Sequence, residues 1–155
     1  PVARHCIARK SARQEEFPRK ARAPSAKKVQ AVCGMVTSRG RVLIEKRPEK
    51  GLWAGLWQFP TFKVREGESP AGILEKGLEA GGIPARDISK QGTLKRSYTD
   101  HREDLHVFQA EAELNGKLPP PFVWVPVAGL ERYAFPSAYR KIIRRWLLSP
   151  AEAPR

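Results

Sequence analysis

Arg47-Pro48-Glu49-Lys50-Gly51-Leu52-Trp53-Ala54-Gly55-Leu56-Trp57-Gln58-Phe59-Pro60 is the stretch whose neighbours change periodicity from two to nearly four. Upstream, residues 29–36 (Val-Gln-Ala-Val-Cys-Gly-Met-Val) read as a buried strand, Thr37-Ser38-Arg39-Gly40 as a turn, and residues 41–47 as a second strand, which together predict a β-hairpin. Downstream come two short extended pieces, 58–60 and 62–65, and then Ser69-Pro70, an N-cap followed by proline at the first helical position. Leu74 and Leu78 lie at i and i+4 of the helix that follows, Glu75, Lys76 and Glu79 point the other way, and Gly81-Gly82 ends it. Gly72 and Gly77 weaken this helix, so it must rely on packing. Inside the quoted stretch, Gly51 and Gly55 allow the backbone to approach a partner closely. Trp57 and Phe59 are assigned to the core, and Arg47 and Lys50 are candidates for holding phosphates.

Further out, residues 92–99 and 105–114 are extended runs joined by a polar stretch, which predicts a second hairpin. Residues 122–125 form a short strand after Pro119-Pro120-Pro121. Tyr139, Ile142, Ile143, Trp146 and Leu147 fall at i, i+3, i+4, i+7 and i+8, one apolar stripe of a closing helix. Arg140, Lys141, Arg144 and Arg145 lie off the stripe, as a solvated face does. Strands, helix, strands, helix is the order of an α+β fold with a mixed sheet and two main helices, about 69–81 and 137–148.

The chain has 155 residues, enough for one core plus tails. Its formal charge is +13, and residues 1–28 hold nine basic residues against Glu15 and Glu16, a balance of +7. Residues 1–27 are accordingly read as an extended basic connector, 28–148 as the folded domain and 149–155 as a tail. A polyanion partner is the expectation from charge. There is no apolar run long enough to span a bilayer and no signal-peptide core, so the chain is read as soluble and intracellular with no membrane partner. Two cysteines, Cys6 and Cys33, exclude a disulfide scaffold and a four-ligand zinc site of the chain's own.

Residues 47–60 closely resemble the segment that opens the C-terminal, Nudix-like domain of MutY-type adenine DNA glycosylases. Tyr133-Ala134-Phe135-Pro136-Ser137-Ala138 is similar to that family's entry into its last helix, and residues 98–108 resemble the hairpin that follows its Phe-Ser-His lesion-reading motif. The resemblance implies a Nudix-like α/β/α sandwich that recognises 8-oxoguanine opposite the adenine excised by an N-terminal catalytic domain. No catalytic residue is expected in this chain. The partners implied are double-stranded DNA containing 8-oxoguanine opposite adenine and that catalytic domain, in a monomeric, cytoplasmic, nucleoid-associated enzyme. The lesion- and DNA-binding residues implied are Tyr98, Thr99, Asp100, Leu52, Trp53, Arg47 and Lys50. Thr99 keeps a hydroxyl that can tell an N7 bearing hydrogen from the N7 acceptor of guanine, and Tyr98 a ring able to pack beside a base. Asp100 stands where the family has His and needs a cationic partner, Arg96 or Arg102. Residues 1–6 resemble the end of the family's cluster loop, with Cys6 as the last ligand of a [4Fe-4S] cluster held only in a longer parent protein whose residue before Pro1 is Cys.

Nudix hydrolases bridge metal and pyrophosphate with carboxylates from one helix face and its preceding loop. Their signature runs Gly, five residues, Glu, seven residues, then Arg-Glu-apolar-x-Glu-Glu. With its first Glu on Glu68, the leading Gly falls on Phe62, Arg-Glu on Lys76-Gly77 and the Glu pair on Ala80-Gly81. The fold is expected without the pyrophosphatase chemistry. The competing readings are a pyrophosphohydrolase of an oxidised nucleoside triphosphate, using Glu75 and Glu79, and a protein-interaction domain on the same scaffold.

Overall fold

The computed structural model describes residues 3–17, 27–97, 101–113 and 118–148. Tyr98, Thr99 and Asp100, residues 1–2 and 18–26 of the connector and the 149–155 tail lie outside the described residues. The start of the connector, expected to be extended, carries short helical turns: a 3-10 turn at Ala3–His5, α1 at Ile7–Lys10 and a 3-10 turn at Gln14–Glu16, none burying a residue.

The domain is built on β1 (Lys27–Ser38), β2 (Arg41–Lys46), β3 (Trp57–Gln58), β4 (Thr61–Val64), α2 (Pro70–Ala80), β5 (Ala85–Ser97), β6 (His101–Ala112), β7 (Phe122–Pro126) and α3 (Ser137–Ile142). The first hairpin forms as expected, with Ser38 opposite Arg41. Its two-residue turn holds Arg39 at φ 45° and Gly40 at φ 73°, the left-handed pair that matches strand twist. One edge of β1 is divided: its end, Thr37 and Ser38, pairs with β2 and an earlier stretch, Gln30 to Cys33, with β4. Its other edge pairs in parallel with β6 along eleven positions, from Lys27–His101 to Thr37–Glu111, and β5 closes that side antiparallel to β6.

β5 begins at Ala85, earlier than the expected 92: Ala85 pairs with Ala112 and Ile88 packs on the core, although Arg86 to Gln91 is otherwise polar and carries no alternation. The strand is an edge with two register shifts, and Asp87 sits at φ 53°. Bulges and lysines of this kind blunt an edge against pairing with another chain.

The sheet is covered on both faces, which makes an α/β/α sandwich. On one, Leu74 and Leu78 of α2 pack on Val32, Val36, Leu43 and Phe108. Ser69 caps this helix through Oγ, which accepts from the Gly72 N–H at 3.4 Å. Gly34 permits the contact, since a Cβ there would lie 2.9 Å from Leu74 Cδ1. On the other face, Phe59, Phe135, Tyr139, Ile142 and Ile143 close over Cys33, Met35, Leu105 and Val107. The closing helix is not α-helical through 148: α3 stops at Ile142 and the chain continues as a π turn, Ile143–Leu147, with Leu148 N bonded to Ile143 O at 2.9 Å. Within that wider turn Trp146 lies flat on Gly92, where a Cβ would be 2.8 Å from the indole.

Candidate nucleic-acid interface

The Gly-Trp loop between β2 and β3 is wound tightly because Gly51, Trp53 and Gly55 all hold positive φ, at 99°, 54° and 70°. For Trp53 this is a strained, left-handed backbone. Gly55 N donates to Pro48 O at 3.1 Å and Arg47 N to Leu56 O at 2.9 Å, which closes the loop on its own base. Arg47, expected to hold phosphate, turns its guanidinium inward: Nε donates to Leu52 O at 3.1 Å and one Nη to Gln58 Oε1. Lys50 is exposed. Leu52 is 54% exposed and forms part of a cleft wall, outside the core.

Beneath the loop lies a polar network that the sequence does not announce. Gln58 is buried; its Nε2 donates to Glu45 Oε1, while its Oε1 accepts from Arg47 and, at 3.3 Å, from the Tyr139 hydroxyl. Glu45 also accepts from Thr61 N at 3.2 Å, filling the place where β2 parts from β4. Burial pushes the Glu45 carboxyl above its ordinary value, against the pull of these hydrogen bonds. Burial likewise pushes the Cys33 thiol up to about 12 and the Tyr139 phenol up to about 12, so both are neutral at pH 7.

A raised carboxyl gives stability that is present while the group is protonated in both states and is lost as pH rises through its folded value. Glu45→Gln keeps an accepting oxygen and cannot ionise. Relative to the parent, the variant is expected to gain stability at pH 7, and the gap should close as pH falls below the folded value, as read by urea unfolding at pH 4 to 7.

At the same end of the sheet stands the root of the β5–β6 hairpin, whose last pairs are Arg96–Glu103 and Ser97–Arg102. Arg96 forms an ion pair with Glu103, and the two side chains are only 12% and 14% exposed. One of the two guanidinium groups expected to serve Asp100, that of Arg96, is thus engaged by Glu103. It also lies 5.5 Å from the Trp53 ring centroid and 5.5 Å from that of Tyr139, while Arg47 lies 5.7 Å from the Trp53 ring. Trp53 therefore joins the loop to the hairpin root. Thr99, Tyr98 and Asp100 span the three positions between Ser97 and His101.

A cleft of about 1170 Å³ opens beside these elements, walled by Lys28, Leu52, Lys63, Arg65, Glu66, Glu68, His101 and Glu103 among others. Glu68, aligned with the first Nudix glutamate, accepts from Arg65 N at 2.8 Å and so fastens its own turn. On α2, the position of the Arg-Glu carboxylate is Gly77, and a Cβ there would lie 2.5 Å from the Phe62 ring. Phe62, standing at the leading Gly position, occupies the space above it. Gly81 meets Phe122 in the same way, at 3.0 Å. Glu75 and Glu79 are exposed and absent from the cleft wall. Among the described residues no three His, Cys, Asp or Glu side chains gather as a metal-holding group, and no helix is long and apolar enough to cross a membrane. Cys6 is exposed at the N-cap of α1 and Cys33 is buried in the sheet, so these two do not make a donor set for a four-thiolate cluster.

Glu103, Gln58, Glu45 and Tyr139 join the site beyond the residues expected from sequence, and Arg96, expected only as a partner for Asp100, joins it through Glu103 and Trp53. The one signal that could have found them is position: Arg96 shares a face of β5 with Leu94, and Glu103 a face of β6 with buried Leu105.

A family model described as NUDIX domain matches residues 31–145. Among solved structures, the C-terminal domain of mouse MUTYH, determined in complex with human PCNA, is similar at TM-score 0.64 and 23% identity over 75% of this chain and 85% of that one. The MutT protein from Methanosarcina mazei Go1 is similar at TM-score 0.64 and 20% identity over 79% and 94%, and the mutator MutT protein from Bacillus halodurans at 0.62 and 18% over 78% and 83%. These likenesses reach both the MUTYH C-terminal domain and MutT proteins. With the family model spanning α2, α3 and all seven strands but the first residues of β1, the chain belongs to the NUDIX domain family.

Proposed function

We propose that this NUDIX domain is the lesion-recognition module of a MutY-type adenine DNA glycosylase. It reads 8-oxoguanine in double-stranded DNA opposite the adenine that an N-terminal domain excises, within a monomeric, cytoplasmic, nucleoid-associated enzyme. The observation that carries this reading is the exchange at Gly77 and Phe62: the carboxylate position has lost its side chain and an aromatic ring fills the space. The contact between Trp53 of the Gly-Trp loop and Arg96 at the root of the β5–β6 hairpin supports it further. Exposed Leu52 and Lys50, with Thr99 and Tyr98, are the groups proposed to face DNA; Arg47 serves the loop. A [4Fe-4S] cluster, with Cys6 as its last thiolate, belongs to the same proposal for the intact glycosylase.

In the intact glycosylase, Thr99→Ala is expected to lower the preference for adenine opposite 8-oxoguanine over adenine opposite guanine by about tenfold, the worth of one good hydrogen bond. Single-turnover excision from the two duplexes measures it, and an unchanged ratio would remove Thr99 from the reading role. Added salt should weaken DNA binding of the whole enzyme without changing that ratio.

The second reading, a pyrophosphohydrolase of an oxidised nucleoside triphosphate, draws on the cleft beside Glu66, Glu68, Lys63 and Arg65. Magnesium-dependent release of pyrophosphate from 8-oxo-dGTP by this chain, abolished by Glu75→Gln with Glu79→Gln, would put it first.

A further inference from the structure

The outer face of the closing helix has the charge of a solvated face without its usual mixture of signs. From Tyr133 to Leu148 there is no Asp or Glu, while Arg140, Lys141, Arg144 and Arg145 are all exposed. Like charges three and four residues apart repel one another, so this arrangement weakens the helix that carries it. Three of the four, Lys141, Arg144 and Arg145, line a notch of about 310 Å³ together with Leu94 of β5. Glu131 lines a different groove, which it shares with Arg140 and Arg144, and is absent from the notch.

The backbone under these cations is a second, independent sign. Arg144 and Arg145 stand on the π turn Ile143–Leu147, a form that is rare and recurs at functional segments. Within it Trp146 lies on the bare backbone of Gly92, and the Arg145 guanidinium lies 4.9 Å from the Trp146 ring centroid. A guanidinium over a ring keeps its in-plane donors, so the contact holds Arg145 without consuming the groups that grip an anion. Tyr139, Ile142, Ile143, Trp146 and Leu147 pack on the core, which leaves the outer face from Arg140 to Arg145 no apolar side chain to insert into a bilayer. Leu94 stands two strand residues before Arg96, about 7 Å from the hairpin root. That is about two base-pair steps along one strand of DNA.

We propose that Lys141, Arg144 and Arg145 form a phosphate-binding surface for the backbone of double-stranded DNA, beside the hairpin root and indifferent to base sequence. The inference rests on the lesion-reading function proposed above for its choice of partner. Its driving force is counterion release, about 0.9 in the slope of log K against log salt for each phosphate neutralised. Contacts of this kind fix orientation on the duplex and leave the choice of base to other residues.

The test uses this chain and an undamaged duplex, with binding followed by fluorescence anisotropy between about 50 and 200 mM salt. Joint replacement Lys141→Ala, Arg144→Ala and Arg145→Ala is expected to lower the slope by about 2 to 3, and each single replacement by about 1. Lys76→Ala, an exposed lysine on α2 across the sheet, should leave it unchanged. Equal urea midpoints establish that the variants are folded. No binding of the duplex at the lowest salt, an unchanged slope in the triple variant, or a loss from Lys76→Ala equal to that from each single replacement overturns the surface. Vesicles containing phosphatidylserine that bind through the same three residues while the duplex slope is unaltered would give the patch to a membrane instead. The lesion-reading function fails separately: a Thr99→Ala glycosylase with full preference removes it and leaves the slope of this chain as it was.

Discussion

Glu103→Leu is expected to destabilise the chain by about 3 kcal/mol, among the largest effects any single substitution should produce. The ion pair it breaks is 12% and 14% exposed, so the guanidinium of Arg96 keeps its charge in a place where water cannot replace the lost carboxylate. Tyr139 and Trp53 remain against Arg96 and offset part of the loss. The double variant Arg96→Met with Glu103→Leu removes both charges and should recover most of the stability, because apolar replacements of a buried pair are close to neutral. Guanidinium unfolding of the four proteins in the cycle measures the coupling. A double variant no more stable than Glu103→Leu alone would mean that the strands depend on the charges for more than their mutual neutralisation.

Phe59→Ala is expected to cost about 3 to 5 kcal/mol, measured by the same unfolding experiment. The ring is fully buried between β3 and β4 and packs on Phe135 and Tyr139, each at a centroid distance of 6.1 Å. Its neighbour Gln58 carries the hydrogen bonds to Glu45, Arg47 and Tyr139. Collapse around the missing ring would therefore loosen the base of the Gly-Trp loop as well as the core. A conservative Phe59→Leu should lose much less, since it keeps most of the apolar volume.

The sheet, the capped helix and the two-sided core were legible because each leaves a local pattern. Ser69 with Pro70, Gly40 after Arg39, and Leu74 with Leu78 are signals set by the chain's own geometry. The start of β5 left little: between Arg86 and Gln91 Ile88 alone is apolar, and one residue packed on the core makes no alternation. The π turn was equally silent, since Tyr139, Ile142, Ile143, Trp146 and Leu147 fit an α stripe and differ only in which carbonyl Leu148 N reaches. In the site, Leu52 lies outside the core, whereas Arg47 reads as a surface cation until Gln58 and Leu52 O are seen to receive it. Arg96 reads as a partner for Asp100, and its pairing with Glu103 leaves no signal in the sequence. A cross-strand pair exists only once register is fixed, and register is a property of two strands together.

The parallel seam at the centre of the sheet has a kinetic consequence. β1 and β6 make the longest pairing in the domain, yet Lys27 must wait for His101, and β2, β3, β4 and α2 lie between them in the chain. Local hairpins can close in microseconds, but this seam requires a long loop to be shut before any of its bonds is gained. Folding is thus expected to be paced by the arrival of the β5–β6 hairpin at β1. Until then the apolar face of β1, from Ala31 to Val36, is open on one edge, so a growing chain passes through a stage in which its future core is an unprotected template for aggregation.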